Sequence, residues 1–110
     1  MLYLVVKTSL EEVERLGSYY EAGRGQWYLN PLKAEKCEYA IITVKGSRKI
    51  KAVYKINGWE KTLPHRYQFD GVLDVALNDA LVGKTLNSNL FKKGQRNPIS
   101  YVEEKDLLEN

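Results

Sequence analysis

The chain has 110 residues and a mass of 12.7 kDa, the length of one domain, and such a domain buries roughly two-thirds of its unfolded surface. At 44% hydrophobic and 28% charged residues with a net charge of +3, the composition is that of a folding chain rather than a disordered one. No apolar run approaches the ~20 residues of a membrane span, the single Cys37 excludes an internal disulfide, and the single His65 excludes a Cys/His zinc site within one chain.

The first seven residues lead into acidic sequence rather than a signal-peptide core, so a soluble cytoplasmic domain is expected. Residues 2–7 are β-branched and apolar, a first strand. Ser9 and Glu12 then form an S-x-x-E capping box with acids in the first turn. Leu10, Val13, Leu16 and Tyr20 come next at helical spacing, which predicts a helix over residues 10–20. Gly23-Arg24-Gly25 ends that helix and opens a short extended piece, residues 26–29. Asn30-Pro31 reads as an N-cap with proline at the first helical position, giving a short helix through Lys36.

Residues 38–45 are apolar on both faces, as in a central strand. Gly46-Ser47 turns this strand into residues 48–56, a hairpin. There Ile50, Ala52, Tyr54 and Ile56 face one side, and Lys49, Lys51 and Lys55 the other with Val53 among them. Asn57-Gly58 is either another hairpin turn or a bend that carries the strand on to Trp59. Residues 66–69 form a further strand closed by Asp70-Gly71, and residues 75–82 a short helix stopped by Gly83. A last strand, 99–102, comes after Asn97-Pro98, and the acidic tail is a final turn of helix. Five or six short strands, one N-terminal helix and short peripheral helices amount to a single α+β domain over residues 1–110, built on a small, partly closed mixed β barrel.

Charge is segregated along the chain. Residues 24–66 hold ten Lys or Arg against Glu35, Glu38 and Glu60, and residues 84–96 hold four more with no acid. Acids gather at residues 11–21, at 70–79 and at the end, which is how a basic face comes to lie beside an acidic one. Lysines at alternate positions of one strand suit a phosphate backbone, and they equally suit the protection of an exposed strand from pairing with other chains. Trp27 and Trp59 each sit at an element boundary among Gly, Gln, Asn and Lys, where a tryptophan either caps a core edge or offers a platform for a stacked base.

Signals for catalysis or cofactor binding are weak. Gly83-Lys84-Thr85 imitates the end of a phosphate-binding loop, but Asn78 stands where the first glycine belongs and the helix comes before rather than after it. Gly23-Arg24-Gly25 lacks the third glycine of a dinucleotide fingerprint. His65 comes after Leu63-Pro64 in a turn with no serine or cysteine beside it, and Cys37 precedes an apolar strand as a buried hydrophobe would. No cofactor is expected.

The run Arg24-Gly25-Gln26-Trp27 is succeeded by Tyr39-Ala40, Val53-Tyr54, Trp59, Arg66, Phe69-Asp70-Gly71 and Val82-Gly83-Lys84, and ends in Asn97-Pro98-Ile99-Ser100-Tyr101. This order, scattered over residues 23–102, resembles small bacterial and phage domains of the PUA-like superfamily, to which ASCH and EVE domains belong. The resemblance implies a pseudo-barrel with a cleft for RNA or a modified DNA base, its walls aromatic and its polar groups reading a base edge. Arg24, Gln26, Trp27, Trp59 and Asn97 are the residues it nominates.

The expected function is therefore a non-catalytic nucleic-acid-binding module. Lys49, Lys51 and Lys55 would hold phosphates, Trp27 or Trp59 would stack on a base, and Arg24, Gln26 or Asn97 would read its edge. The alternative is a protein-interaction or inhibitor domain whose basic strand meets an acidic partner. A small nucleoside hydrolase with Lys84 near the reacting group is a third reading, and a homodimer through an exposed strand edge is compatible with all three.

Overall fold

The computed structural model describes residues 2–91 and 98–109. The elements in chain order are β1 (Leu2–Thr8), α1 (Leu10–Leu16), α2 (Tyr19–Gly23), β2 (Trp27–Tyr28), α3 (Pro31–Ala34) and β3 (Cys37–Val44). Then come β4 (Ala52–Leu63), β5 (Arg66–Leu73), α4 (Val75–Leu81), β6 (Ile99–Glu103) and a 3-10 turn, Glu104–Asp106. The six strands form one curled sheet in the order β2-β5-β4-β3-β1-β6, a half-barrel with short helices around it.

β1 and β3 run parallel, from Tyr3 opposite Tyr39 to Thr8 opposite Val44, and every other strand pair is antiparallel. This pair sits near the middle of the sheet, and both its strands are almost continuously buried, as parallel strands covered on two faces must be. Leu4, Val6, Ala40, Ile42, Ala52, Tyr54 and Phe69 form one cluster, with α2 residues Tyr19 and Tyr20 and both tryptophans packed against it. Tyr3, Val5, Ile41, Ile50, Val53, Leu86 and Leu107 belong to the other, covered by Leu77 and Leu81 of α4 and by Leu90, Phe91 and Leu108. Trp27 belongs to an edge strand four places from β1, yet it lines a hollow together with Thr8 of β1. The sheet therefore curls toward the first cluster.

The expected helix over residues 10–20 is two helices. Gly17 takes the left-handed conformation at φ 94° and its N–H closes α1 on the Val13 carbonyl at 2.8 Å, which favours glycine. Ser18 at once begins a second helix, its hydroxyl accepting from the Glu21 N–H at 3.0 Å. Ser18-Tyr19-Tyr20-Glu21 is a second S-x-x-E box, and the apolar spacing running through it concealed the break.

At Asn57-Gly58 the strand continues. β4 shifts register between Ile56 and Gly58 and runs to Leu63, and the hairpin turn lies at Pro64-His65, where His65 has φ 63°. Where β5 stops at Leu73, α4 takes over its hydrogen-bonding role. The Asn78 side chain accepts from the Val53 N–H at 2.9 Å, and the Asp74 N–H donates to the Val53 carbonyl at 3.3 Å.

The expected lysine row is not formed. β4 begins at Ala52, and Ile50 packs with Val53 in the second cluster rather than with Ala52 and Tyr54 in the first, so the alternation breaks before the strand starts. Lys49 instead forms an isolated bridge to Thr85, with its ammonium donating to the Thr85 hydroxyl at 2.7 Å. Gly83-Lys84-Thr85 thus lies against the segment that precedes β4. The Ile50 N–H donates to the Lys84 carbonyl and the Gly83 N–H to the Ile50 carbonyl, both at 3.0 Å.

Candidate functional site

The connection from α2 to β2 is clasped to the edge of β5. The Arg24 carbonyl accepts from the Phe69 N–H at 2.8 Å, and Arg24 Nε donates to the Phe69 carbonyl at 3.1 Å, so one residue satisfies both edge groups of Phe69. The guanidinium lies over the Tyr20 ring at 5.1 Å and between Glu21 and Asp70, at 3.8 and 3.7 Å. Arg24 is thus largely committed within the fold, with a side chain only 22% exposed. Gly25 is required by close approach. A Cβ there would lie 2.6 Å from Gln68 Cβ and 2.8 Å from the Tyr67 carbonyl, at a φ of 149°.

The clasp also orients Gln26 and Trp27. Gln26 is exposed, and Trp27 is half-buried against the first cluster with its indole N–H donating to the Gly23 carbonyl at 2.7 Å. The bond closes the end of α2 and turns the indole toward the carboxyl ends of β1 and β3. The Lys45 N–H donates to the Thr8 carbonyl at 2.9 Å and the Lys7 N–H to the Pro98 carbonyl at 2.8 Å, which brings two cations to those same ends.

Three hollows that share lining residues in turn run as a groove over this end of the sheet, from the face of the first cluster, where Trp27 packs, to that of the second, where Leu86 and Phe91 pack. A hollow of about 520 Å³ is lined by Thr8, Glu12, Arg15, Arg24, Gln26, Trp27 and Gln68 among others. It adjoins, along Thr8, Glu12 and Trp27, a hollow of about 240 Å³ that Lys7, Lys45 and Pro98 complete. That hollow adjoins at Lys7 a third of about 280 Å³, lined further by Ser47, Arg48, Asn87, Ser88 and Phe91. In open sheets, ligands bind outside the carboxyl ends of parallel strands, and here the parallel pair ends in the groove.

Charges in the groove divide into two kinds. Arg15 pairs with Glu12 and Arg24 with Glu21, so the first hollow is largely neutralised from within. Lys7 and Lys45 have no carboxylate within 4.0 Å among the described residues; the Lys7 ammonium lies over the Phe91 ring at 4.6 Å. Arg48 pairs with Glu109 at 2.9 Å through one nitrogen.

The residues singled out in the sequence are separated by the fold. Arg24, Gln26 and Trp27 share the groove. Trp59 does not join them. It packs edge-on against Phe69 at 5.8 Å and lines a different hollow with Glu35, Cys37 and Asn57, at the amino end of β3. Its indole N–H is buried with no acceptor among the described residues. Lys55 stands opposite Tyr39 and Val72 in the middle of the sheet, and Lys51 is half-buried with its N–H on the Ile42 carbonyl. Asn97 lies outside the described residues.

Lys7, Lys45, Arg48, Gln68, Asn87 and Ser88 are among the groove residues that sequence reading passed over. Lys7 and Lys45 do stand at or just beyond the ends of the two most apolar strands, a position from which the parallel pairing could have been used to join them. The single histidine and the single cysteine lie outside the groove. His65 is on the β4–β5 turn against the Tyr28 ring at 5.7 Å, and burial pushes the Cys37 thiol up to about 11.

Comparison with protein-family models, with curated proteins and with solved structures finds no match to this chain. Among the described residues, no group of three or more His, Cys, Asp or Glu side chains is placed to hold a metal ion, and no helix is long and apolar enough to cross a membrane.

Proposed function

We propose that the domain is a non-catalytic nucleic-acid-binding module whose ligand strand lies along this groove. One observation carries the reading: Trp27 shares a hollow at the ends of β1 and β3 with Lys45 and Lys7, two cations that lack carboxylate partners among the described residues, the Lys7 ammonium turning over Phe91 toward the next hollow. Cations of that kind neutralise phosphates and release counterions. A fixed indole offers a stacking surface to any base, and the exposed Gln26 beside it has both the donor and the acceptor that base-edge recognition uses. Phosphate contact is thereby reassigned from the lysines around β4 to the strand ends, and edge reading from Arg24, whose guanidinium is engaged, to Gln26.

Titration with short single- and double-stranded RNA and DNA tests this. Lys45→Glu is expected to weaken binding about tenfold for every sequence and to lower the salt dependence by about one unit of slope or more. Gln26→Ala is expected to alter base preference with the salt slope unchanged. Wild-type affinity in both variants would contradict the proposal, and so would the absence of binding by the wild-type protein at low salt, which would direct attention to a protein partner.

A further inference from the structure

The third hollow differs in character from the rest of the groove. We infer that it is a receptor for a terminal phosphomonoester, so that the groove takes a phosphorylated strand end; this rests on the nucleic-acid reading above. All the polar side chains that can turn to a ligand here are donors, and among the described residues none of the lining side chains is a carboxylate.

Bonds already made within the fold determine which donors remain. Ser47 Oγ accepts from the Lys49 N–H at 3.1 Å, which leaves its own hydroxyl proton to donate. Asn87 Oδ1 accepts from the Asn89 N–H at 3.0 Å, which leaves the side-chain amide N–H groups. Arg48 uses one terminal nitrogen on the Leu86 carbonyl at 3.2 Å and on Glu109, leaving Nε and the second terminal nitrogen without partners among the described residues. Ser88 is exposed at the rim, and Lys7 approaches from β1 with its ammonium over Phe91.

An ammonium with no carboxylate partner among the described residues, a guanidinium that shares one nitrogen with Glu109, and three neutral donors around one hollow match a group rich in acceptors. A phosphomonoester carries a charge of roughly −1.5 to −2 at neutral pH and three acceptor oxygens, where a backbone phosphodiester carries about −1. The geometry also selects an end. This hollow shares only Lys7 with its neighbour and none of its lining residues with the first, so it stands at one extreme of the three, where the end rather than the middle of a strand passing Trp27 and Lys45 would sit.

The test compares one internally labelled single-stranded oligonucleotide with hydroxyl ends, with a 5′-phosphate and with a 3′-phosphate, by fluorescence anisotropy. Amide NMR with inorganic phosphate and a nucleoside monophosphate accompanies it. One phosphorylated form is expected to bind at least about tenfold tighter than the hydroxyl form, the scale of charge-assisted hydrogen bonds. Arg48→Met and Ser88→Ala are expected to reduce that preference, and Ser88, being exposed, keeps the test open should Arg48→Met fail to fold. Equal affinity for all three forms would overturn the end receptor while leaving the groove. Shifts of the Ser47 and Ser88 amides by the monophosphate, with no oligonucleotide bound, would keep the phosphate receptor for small molecules and overturn the strand-end reading together with the nucleic-acid proposal. No response to any probe would overturn both.

Discussion

The two tryptophans have similar neighbourhoods in sequence and opposite chemistry in the fold. Trp27 donates its indole N–H to the Gly23 carbonyl, whereas the buried N–H of Trp59 meets no acceptor among the described residues. Replacing each by phenylalanine removes a comparable volume, but only at Trp27 does it orphan a carbonyl. Trp27→Phe is therefore expected to destabilise the domain more than Trp59→Phe, by about 1 kcal/mol in urea unfolding. Equal losses would mean that the Trp27 bond adds nothing. Cys37 makes a second residue-scale prediction. Its buried thiol ionises at about 11 against an ordinary 9.0, so the native protein should resist alkylation at pH 8 and react freely in denaturant. Above pH 9 the unfolded thiol loses its proton while the folded one keeps it, so this contribution to stability declines between pH 9 and about 11.

At the scale of elements, the presence of the strands was legible but their ends and joints were not: β4 spans Ala52–Leu63 rather than 48–56, and β5 does not close at Asp70-Gly71 but pairs through them with β4 to Leu73. Residues 38–45 announce a central strand because both faces are apolar, and β3 lies at Cys37–Val44. The break between α1 and α2 is a local matter that a second capping box at Ser18 encodes, but the periodicity of Leu10, Val13, Leu16 and Tyr20 runs across it. The lysine row failed for a different reason. Alternation assumes a regular strand, and Lys49 and Ile50 instead pair with residues 83–85, which turns Ile50 to the other face. The short edge strand β2 owes its place to Gly25, whose close approach to Gln68 no sequence pattern displays. Gly25→Ala is expected to cost more than about 2 kcal/mol, through overlap with β5 and the positive φ together. Amide hydrogen exchange should then show Trp27 and Tyr28 losing protection before β3; unchanged protection would contradict the clasp.

For the whole molecule, the half-barrel and its short helices could be read from the order of strands, turns and caps, whereas the groove could not. Its residues include positions 7–8, 12, 15, 24–27, 45–48, 68, 86–88, 91 and 98, and only the parallel pairing of β1 with β3 and the curl of β5 and β2 bring them together. Such contacts are non-local, and no spacing rule records them. Segregated charge along the chain suggested a basic face, but the cations facing the groove without carboxylate partners among the described residues stand at strand ends rather than along a strand.

The most direct test uses Trp59→Phe protein, in which Trp27 is the sole tryptophan, and tracks its fluorescence during titration with single-stranded oligonucleotide at two salt concentrations. Saturable quenching that weakens steeply with salt is the predicted result, because the base would stack on Trp27 while Lys7 and Lys45 take the phosphates. Binding that leaves the Trp27 emission unchanged, or no binding at low salt, would contradict the account.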